Sequence, residues 1–166
     1  ARVTDLKTLR PIVSNFAVRA AEKLRNEKQK CSQVSVFVRT SPFSDHKPQH
    51  TGYKTIEFST PTNDTRDILI AAKKALLPIF KPGYDYAKAG ILLSRFSNEE
   101  TKQYSLFKDP NEPKENSKFM KYIDKLNAYE TKIYFASQNT KKWSPMKQNM
   151  TSPKYTTCWY ELPIAK

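Results

Sequence analysis

The chain has 166 residues, with 29 Lys and Arg against 16 Asp and Glu, a formal charge of +13. That length accommodates one domain of ordinary size plus an appendage, with enough chain to bury a real core. No apolar run approaches the roughly 20 residues that span a bilayer and no signal peptide opens the chain, so membrane classes are excluded and a cytoplasmic protein is expected.

Residues 1–50 carry ten basic and four acidic groups, 51–107 eight and six, and 108–166 eleven and six. The positive excess is therefore spread along the chain and does not sit in one tail. A polyanion is the expected partner, nucleic acid ahead of membrane. Cys31 and Cys158 are too few for a disulfide framework or zinc site, and Pro48 between His46 and His50 rules out a helical metal pair. No metal site is expected. The first residues, Ala1-Arg2-Val3-Thr4, lack a methionine and suggest a piece of something longer.

Arg2-Val3-Thr4 reads as the tail of a strand. Leu9, Ile12, Val13, Phe16, Ala17, Ala20, Ala21 and Leu24 follow helical spacing, which predicts a helix over 6–28 capped by Thr4 or Asp5. Its wet face is read as Arg19, Glu22, Lys23, Arg25 and Asn26, and Pro11 marks a kink or a later start. Residues 33–40 alternate strictly. Val34, Val36 and Val38 face one side, and Gln33, Ser35, Phe37 and Arg39 the other. A second strand is expected over 53–58, with Ile56 and Phe58 inward and Tyr53, Thr55 and Glu57 outward.

Residues 60–64 open the next helix, whose stripe is Ile68, Leu69, Ala71, Ala72, Ala75, Leu76 and Ile79. Pro78 and Lys81-Pro82-Gly83 end it. The last strand is 86–96, with Ala87, Ala89, Ile91 and Leu93 on one face and Lys88, Gly90, Leu92 and Ser94 on the other.

This order predicts an α+β fold of split βαββαβ type: a four-stranded antiparallel sheet with two helices on one face and its first strand largely missing. In this topology the first strand is expected to be central, so its loss would leave unpaired backbone groups. The opposite face stays open, carrying Ser35, Phe37, Arg39, Thr55 and Lys88. It is either an ordinary solvated face or a phosphate-contacting surface.

Beyond residue 97 a linker over 98–113 holds Gln103-Tyr104-Ser105-Leu106-Phe107. Leu106 and Phe107 stand among polar residues and prolines, where they either staple the linker to its own domain or fill a pocket on another protein. Residues 114–166 form a small irregular extension. A short helix is expected over 116–129, and Ile133-Tyr134-Phe135 suits a strand. Trp143, Met146, Met150, Tyr155, Trp159 and Tyr160 interleave with Lys141, Lys142, Lys147 and Lys154. Such a tract either binds nucleic acid by stacking and charge or forms the core of a small cap.

Several stretches together resemble the C-terminal part of a Y-family translesion DNA polymerase, in the branch of DNA polymerase V and its plasmid-borne relatives. They are Arg19-Ala20-Ala21-Glu22-Lys23-Leu24-Arg25, Phe37-Val38-Arg39-Thr40-Ser41-Pro42-Phe43, Pro61-Thr62-Asn63-Asp64-Thr65-Arg66-Asp67-Ile68, Tyr86-Ala87-Lys88-Ala89-Gly90-Ile91-Leu92-Leu93 and Ser152-Pro153-Lys154-Tyr155-Thr156-Thr157-Cys158-Trp159. The resemblance implies that residues 1–97 are a little-finger domain gripping template–primer duplex DNA. Arg39 and Lys88 fall on positions that match its backbone-contacting strands, and Ser35 and Thr55, on the same face by parity, complete the expected DNA contacts. Gln103, Ser105, Leu106 and Phe107 match the pentapeptide that binds the bacterial sliding clamp.

The resemblance further implies a role in SOS damage bypass. It allows a UmuD-like regulatory subunit and the recombinase filament as partners. Catalytic carboxylates and their Mg2+ would belong to a palm domain outside this chain, so no catalytic residue and no cofactor are expected here. Asp64 and Asp67 read as helix-start groups. The same topology also serves RNA-binding modules and non-catalytic interaction domains, and those alternatives stay open.

Overall fold

A computed structural model of the chain describes residues 2–43, 47–100, 117–129, 133–138, 151–154 and 158–162. Helix α1 (Leu6–Asn26) leads into β1 (Gln29–Thr40), β2 (Thr51–Thr62), α2 (Thr65–Ile79) and β3 (Tyr86–Asn98). A third helix, α3 (Ser117–Ala128), and a 3-10 turn over Trp159–Glu161 follow. The fold is α+β, with β1, β2 and β3 forming an antiparallel sheet in the order β2-β1-β3.

Helix α1 starts where the Asp5 carboxylate accepts the Thr8 N–H at 2.7 Å, satisfying one orphan donor of the first turn. The Thr8 side chain, and after it this N–H, hold the Asp5 carboxyl below its ordinary pKa. The helix runs through Pro11, which forfeits only one bond near its start. Asp64 caps α2 in the same way, through the Arg66 N–H at 2.8 Å. Asp67, in the first turn, accepts from the Thr62 hydroxyl at 2.9 Å. Both carboxylates thus serve the helix start.

Leu9, Val13, Ala17, Ala21 and Leu24 of α1 meet Ile68, Ala71, Ala72, Ala75 and Leu76 of α2 over Val34, Val36 and Val38 of β1. The alanines on both helices let them lie close together and close to the sheet. Gly52 on β2 serves that approach: a Cβ there would stand 2.8 Å from both Cβ and the backbone oxygen of Ile79. The core occupies one side of the sheet only, as the alternation predicted.

Several expectations are corrected. The remnant of the first strand is not central. Val3 and Tyr86 exchange backbone hydrogen bonds of 3.0 and 2.9 Å, which puts the remnant on the outer edge of β3. β1 lies between β2 and β3 with paired register on both sides, so the sheet has no central gap. Residues 60–62 extend β2, since the cap of α2 falls at Asp64.

Ile133-Tyr134-Phe135 is not a strand. The Asn127 side chain takes its backbone bonds, accepting the Ile133 N–H at 2.6 Å and donating to the Ile133 carbonyl at 3.2 Å. The chain then turns, with the Gln138 N–H on the Phe135 carbonyl at 2.8 Å, and Phe135 packs against the core.

Arg25 is not on a wet face. Its side chain is 2% exposed and forks onto the Asp124 carboxylate of α3 at 2.6 and 2.7 Å. It also donates to the Asn63 carbonyl at 2.7 Å and the Thr65 hydroxyl at 2.8 Å. Met120 and Ile123 of α3 are buried, and Lys121 pairs with Glu99 at 2.8 Å. The third helix is thus tied to the main domain by the buried Arg25 and by the Lys121–Glu99 pair.

Candidate nucleic-acid interface

The face of the sheet opposite the helices is set by register. Four rows of three residues cross it, each with a β1 residue between its partners on β2 and β3. Arg39 stands between Thr51 and Lys88, Phe37 between Tyr53 and Gly90, Ser35 between Thr55 and Leu92, and Gln33 between Glu57 and Ser94. Successive rows are about 7 Å apart, because residues two apart along a strand share a face.

The rows differ in chemistry. At one end Arg39 and Lys88 are exposed and directly opposite each other. Like charges facing across strands repel, and among the described residues no carboxylate lies within ion-pair distance of either. Asp85 stands near the same end of the sheet, but Lys47 and Arg2 engage it and hold its carboxyl below the ordinary range. That end of the face therefore presents a net positive charge.

At the other end the charges are balanced. Gln33 donates to Glu57 at 3.0 Å and accepts from the Ser94 hydroxyl at 2.7 Å, while Arg95 meets Glu57 at 3.2 Å. Arg95 holds a φ of 55°, a left-handed conformation costly for a non-glycine residue.

The sequence-predicted contacts Ser35, Arg39, Thr55 and Lys88 all lie on this face. Their accessibility differs. Arg39 and Lys88 project into solvent, and Thr55 is half-buried. Ser35 is 1% exposed, and its hydroxyl is 2.8 Å from that of Thr55. The two hydroxyls thus form the floor of the face. Sequence reasoning missed Thr51, which shares a row with Arg39, and missed that Phe37 has an aromatic partner. Thr51 fell outside the second strand as expected over 53–58; the outward parity of Phe37 and Tyr53 was legible, but the register that joins them was not.

The pentapeptide Gln103, Ser105, Leu106 and Phe107 lies outside the described residues, as do Lys141, Lys142, Trp143, Met146, Lys147, Met150 and Tyr155. Among the described residues no group of three metal-ligating side chains forms, and no helix is long and apolar enough to cross a membrane.

Residues 1–106 match the family model described as the impB/mucB/samB family C-terminal domain. The chain belongs to that family. It is 43% identical to Protein UmuC of Salmonella typhimurium over 164 residues, 97% of this chain and 39% of the relative. It is 42% identical to Protein ImpB of Salmonella typhimurium over 167 residues, covering 99% of the chain and 39% of that protein. Protein MucB of Escherichia coli is 39% identical over 165 residues, with the same coverage. The chain therefore spans about two fifths of the length of these relatives. The family resemblance read from the sequence motifs is borne out.

Residues 117–165 match a second model, a domain of unknown function. That match begins at the first residue of α3, the helix that Arg25 holds against the impB/mucB/samB domain.

Proposed function

We propose that this chain is the DNA-binding and clamp-binding C-terminal region of an error-prone translesion DNA polymerase acting in SOS damage bypass. The observation that carries it is the facing pair Arg39 and Lys88 at the end of an open sheet face, in a member of the impB/mucB/samB family. A polymerase must hold any sequence it copies, so its grip belongs on phosphates and not on base edges. A phosphate placed between Arg39 and Lys88 turns their repulsion into attraction. Thr51 and Thr55 supply hydroxyl donors in the same and a nearby row.

Affinity for duplex should fall with salt at a slope of about −0.9 per phosphate neutralised. Arg39→Ala and Lys88→Ala should each weaken binding to all duplex sequences alike and flatten that slope by roughly one unit. Lys73, exposed on α2, is the control. Fluorescence anisotropy with primer–template DNA at several salt concentrations reads both quantities. Equal losses from Lys73→Ala and Arg39→Ala would mean diffuse attraction and would remove the sheet face from the reading.

The clamp-binding half rests on Gln103, Ser105, Leu106 and Phe107. Leu106→Ala with Phe107→Ala removes two apolar anchors, on the order of 3 kcal/mol or about a hundredfold in affinity for the bacterial sliding clamp. Unchanged affinity in a titration would end that part of the proposal. On this reading the UmuD-like regulatory subunit and the recombinase filament are partners of the parent polymerase. The Mg2+ chemistry belongs to its palm carboxylates.

A further inference from the structure

The second row of the open face, Tyr53, Phe37 and Gly90, carries no cation and is its most apolar row. Phe37 and Tyr53 are direct cross-strand partners, 37% and 58% exposed, and Leu92 in the next row is 53% exposed. Phe37 lies over Gly90: a Cβ at that position would stand 2.6 Å from its Cε1 and Cζ atoms, so only glycine leaves room for the ring where it is. Tyr53 shares its face of β2 with Thr55, and the nearby Ser35 and Thr55 hydroxyls lower the pKa of its phenol.

Phe37 is therefore seated against the sheet, and both rings keep much of their surface open to water. Arg39 and Lys88 stand one row away, about 7 Å along the strands. Cations that hold a phosphate beside rings that take a base are the two components of sequence-tolerant single-strand binding. The neighbouring positive charge argues for a nucleic acid over an apolar protein segment.

We propose that Phe37 and Tyr53 form a stacking platform for unpaired bases of DNA, so that the face gripping duplex backbone also holds single-stranded template. The platform rests on the reading of Arg39 and Lys88 as phosphate contacts, and adds a base-dependent component to it. Duplex DNA, its bases already stacked, gains nothing from the rings.

The test uses the full chain at low salt, as wild type, Phe37→Leu, Tyr53→Leu and the double variant. Circular dichroism checks that each is folded; Tyr53→Leu, at the more exposed position, serves if Phe37→Leu does not fold. Three probes are compared by anisotropy: a dT 12-mer, a 12-mer of abasic sugar-phosphate and a 12-base-pair duplex. Wild type should bind dT at least fivefold more tightly than the abasic strand, the lower end expected for one stacked base. Each single variant should reduce that preference and the double variant abolish it, with duplex affinity kept within about twofold. Equal wild-type binding of dT and abasic strands overturns the inference, as does a preference that survives in the double variant. If duplex binding remains Arg39-dependent while no base preference exists, the platform alone fails. If wild type binds none of the probes, the phosphate reading fails and the platform falls with it.

Discussion

Removing the Arg25 guanidinium should undock α3. The side chain makes four hydrogen bonds: two to Asp124, one to the Asn63 carbonyl and one to the Thr65 hydroxyl. Arg25→Met keeps the aliphatic volume and deletes all four. Asp124, whose side chain is 18% exposed, is left without its cation, and two buried acceptors lose their donor. Breaking a fully buried pair by removing one partner costs about 3–5 kcal/mol. Water can still reach Asp124, so the lower end applies, about 3 kcal/mol. For a chain of this size each kcal/mol moves the midpoint by about 2–4 °C, so the melting temperature should fall by roughly 6–12 °C.

A double-mutant cycle with Asp124→Asn, read by thermal denaturation, separates the pair from its surroundings. Once Arg25 is gone, Asp124→Asn should cost little, giving a coupling of more than about 1 kcal/mol. Additive effects within about 0.5 kcal/mol would refute the claim that this pair holds the helix.

Gly52→Ala should lower stability by about 1–3 kcal/mol, because its Cβ would meet Ile79 Cβ and backbone oxygen at 2.8 Å and the backbone atom cannot swing aside; an unchanged melting temperature would contradict this. Burial, the largest influence, raises the Asp67 pKa above 3.8, so its ionised form costs more folded than unfolded. Its contribution is thus fully present below the unfolded pKa and lost as pH rises through the folded one, so Asp67→Asn should gain melting temperature relative to wild type between pH 3 and pH 7; the opposite trend would refute the assignment. The Cys31 thiol, pushed up to about 11 by burial, should resist alkylation at pH 8 in the native chain and react once urea unfolds it, as a mass-resolved time course will show.

The elements were legible because each carries its own period. Val34, Val36 and Val38 alternate with outward residues, and the α2 stripe from Ile68 to Ile79 repeats at helical spacing; those patterns are local and need no partner. Arg25 was misread although its position held the signal. It follows Ala21 by four residues, on the same stripe as Ala17, Ala21 and Leu24. A charged residue on a buried stripe implies a buried partner. That partner, Asp124, lies 99 residues away, where no local pattern points to it.

Strand order and register were illegible for a related reason. Parity showed that Phe37 and Tyr53 both face outward, but residues 41–50 between the strands are too many for a tight turn to fix which residue opposes which. The register that pairs them follows from burying Val34, Val36 and Val38 under two helices at once. A slip of one residue would expose those valines and bury Arg39. The core therefore sets the functional face: the packing that hides the valines brings Arg39 against Lys88 and Phe37 against Tyr53. Mutations in the valine row should disturb nucleic-acid binding without touching a single contact residue.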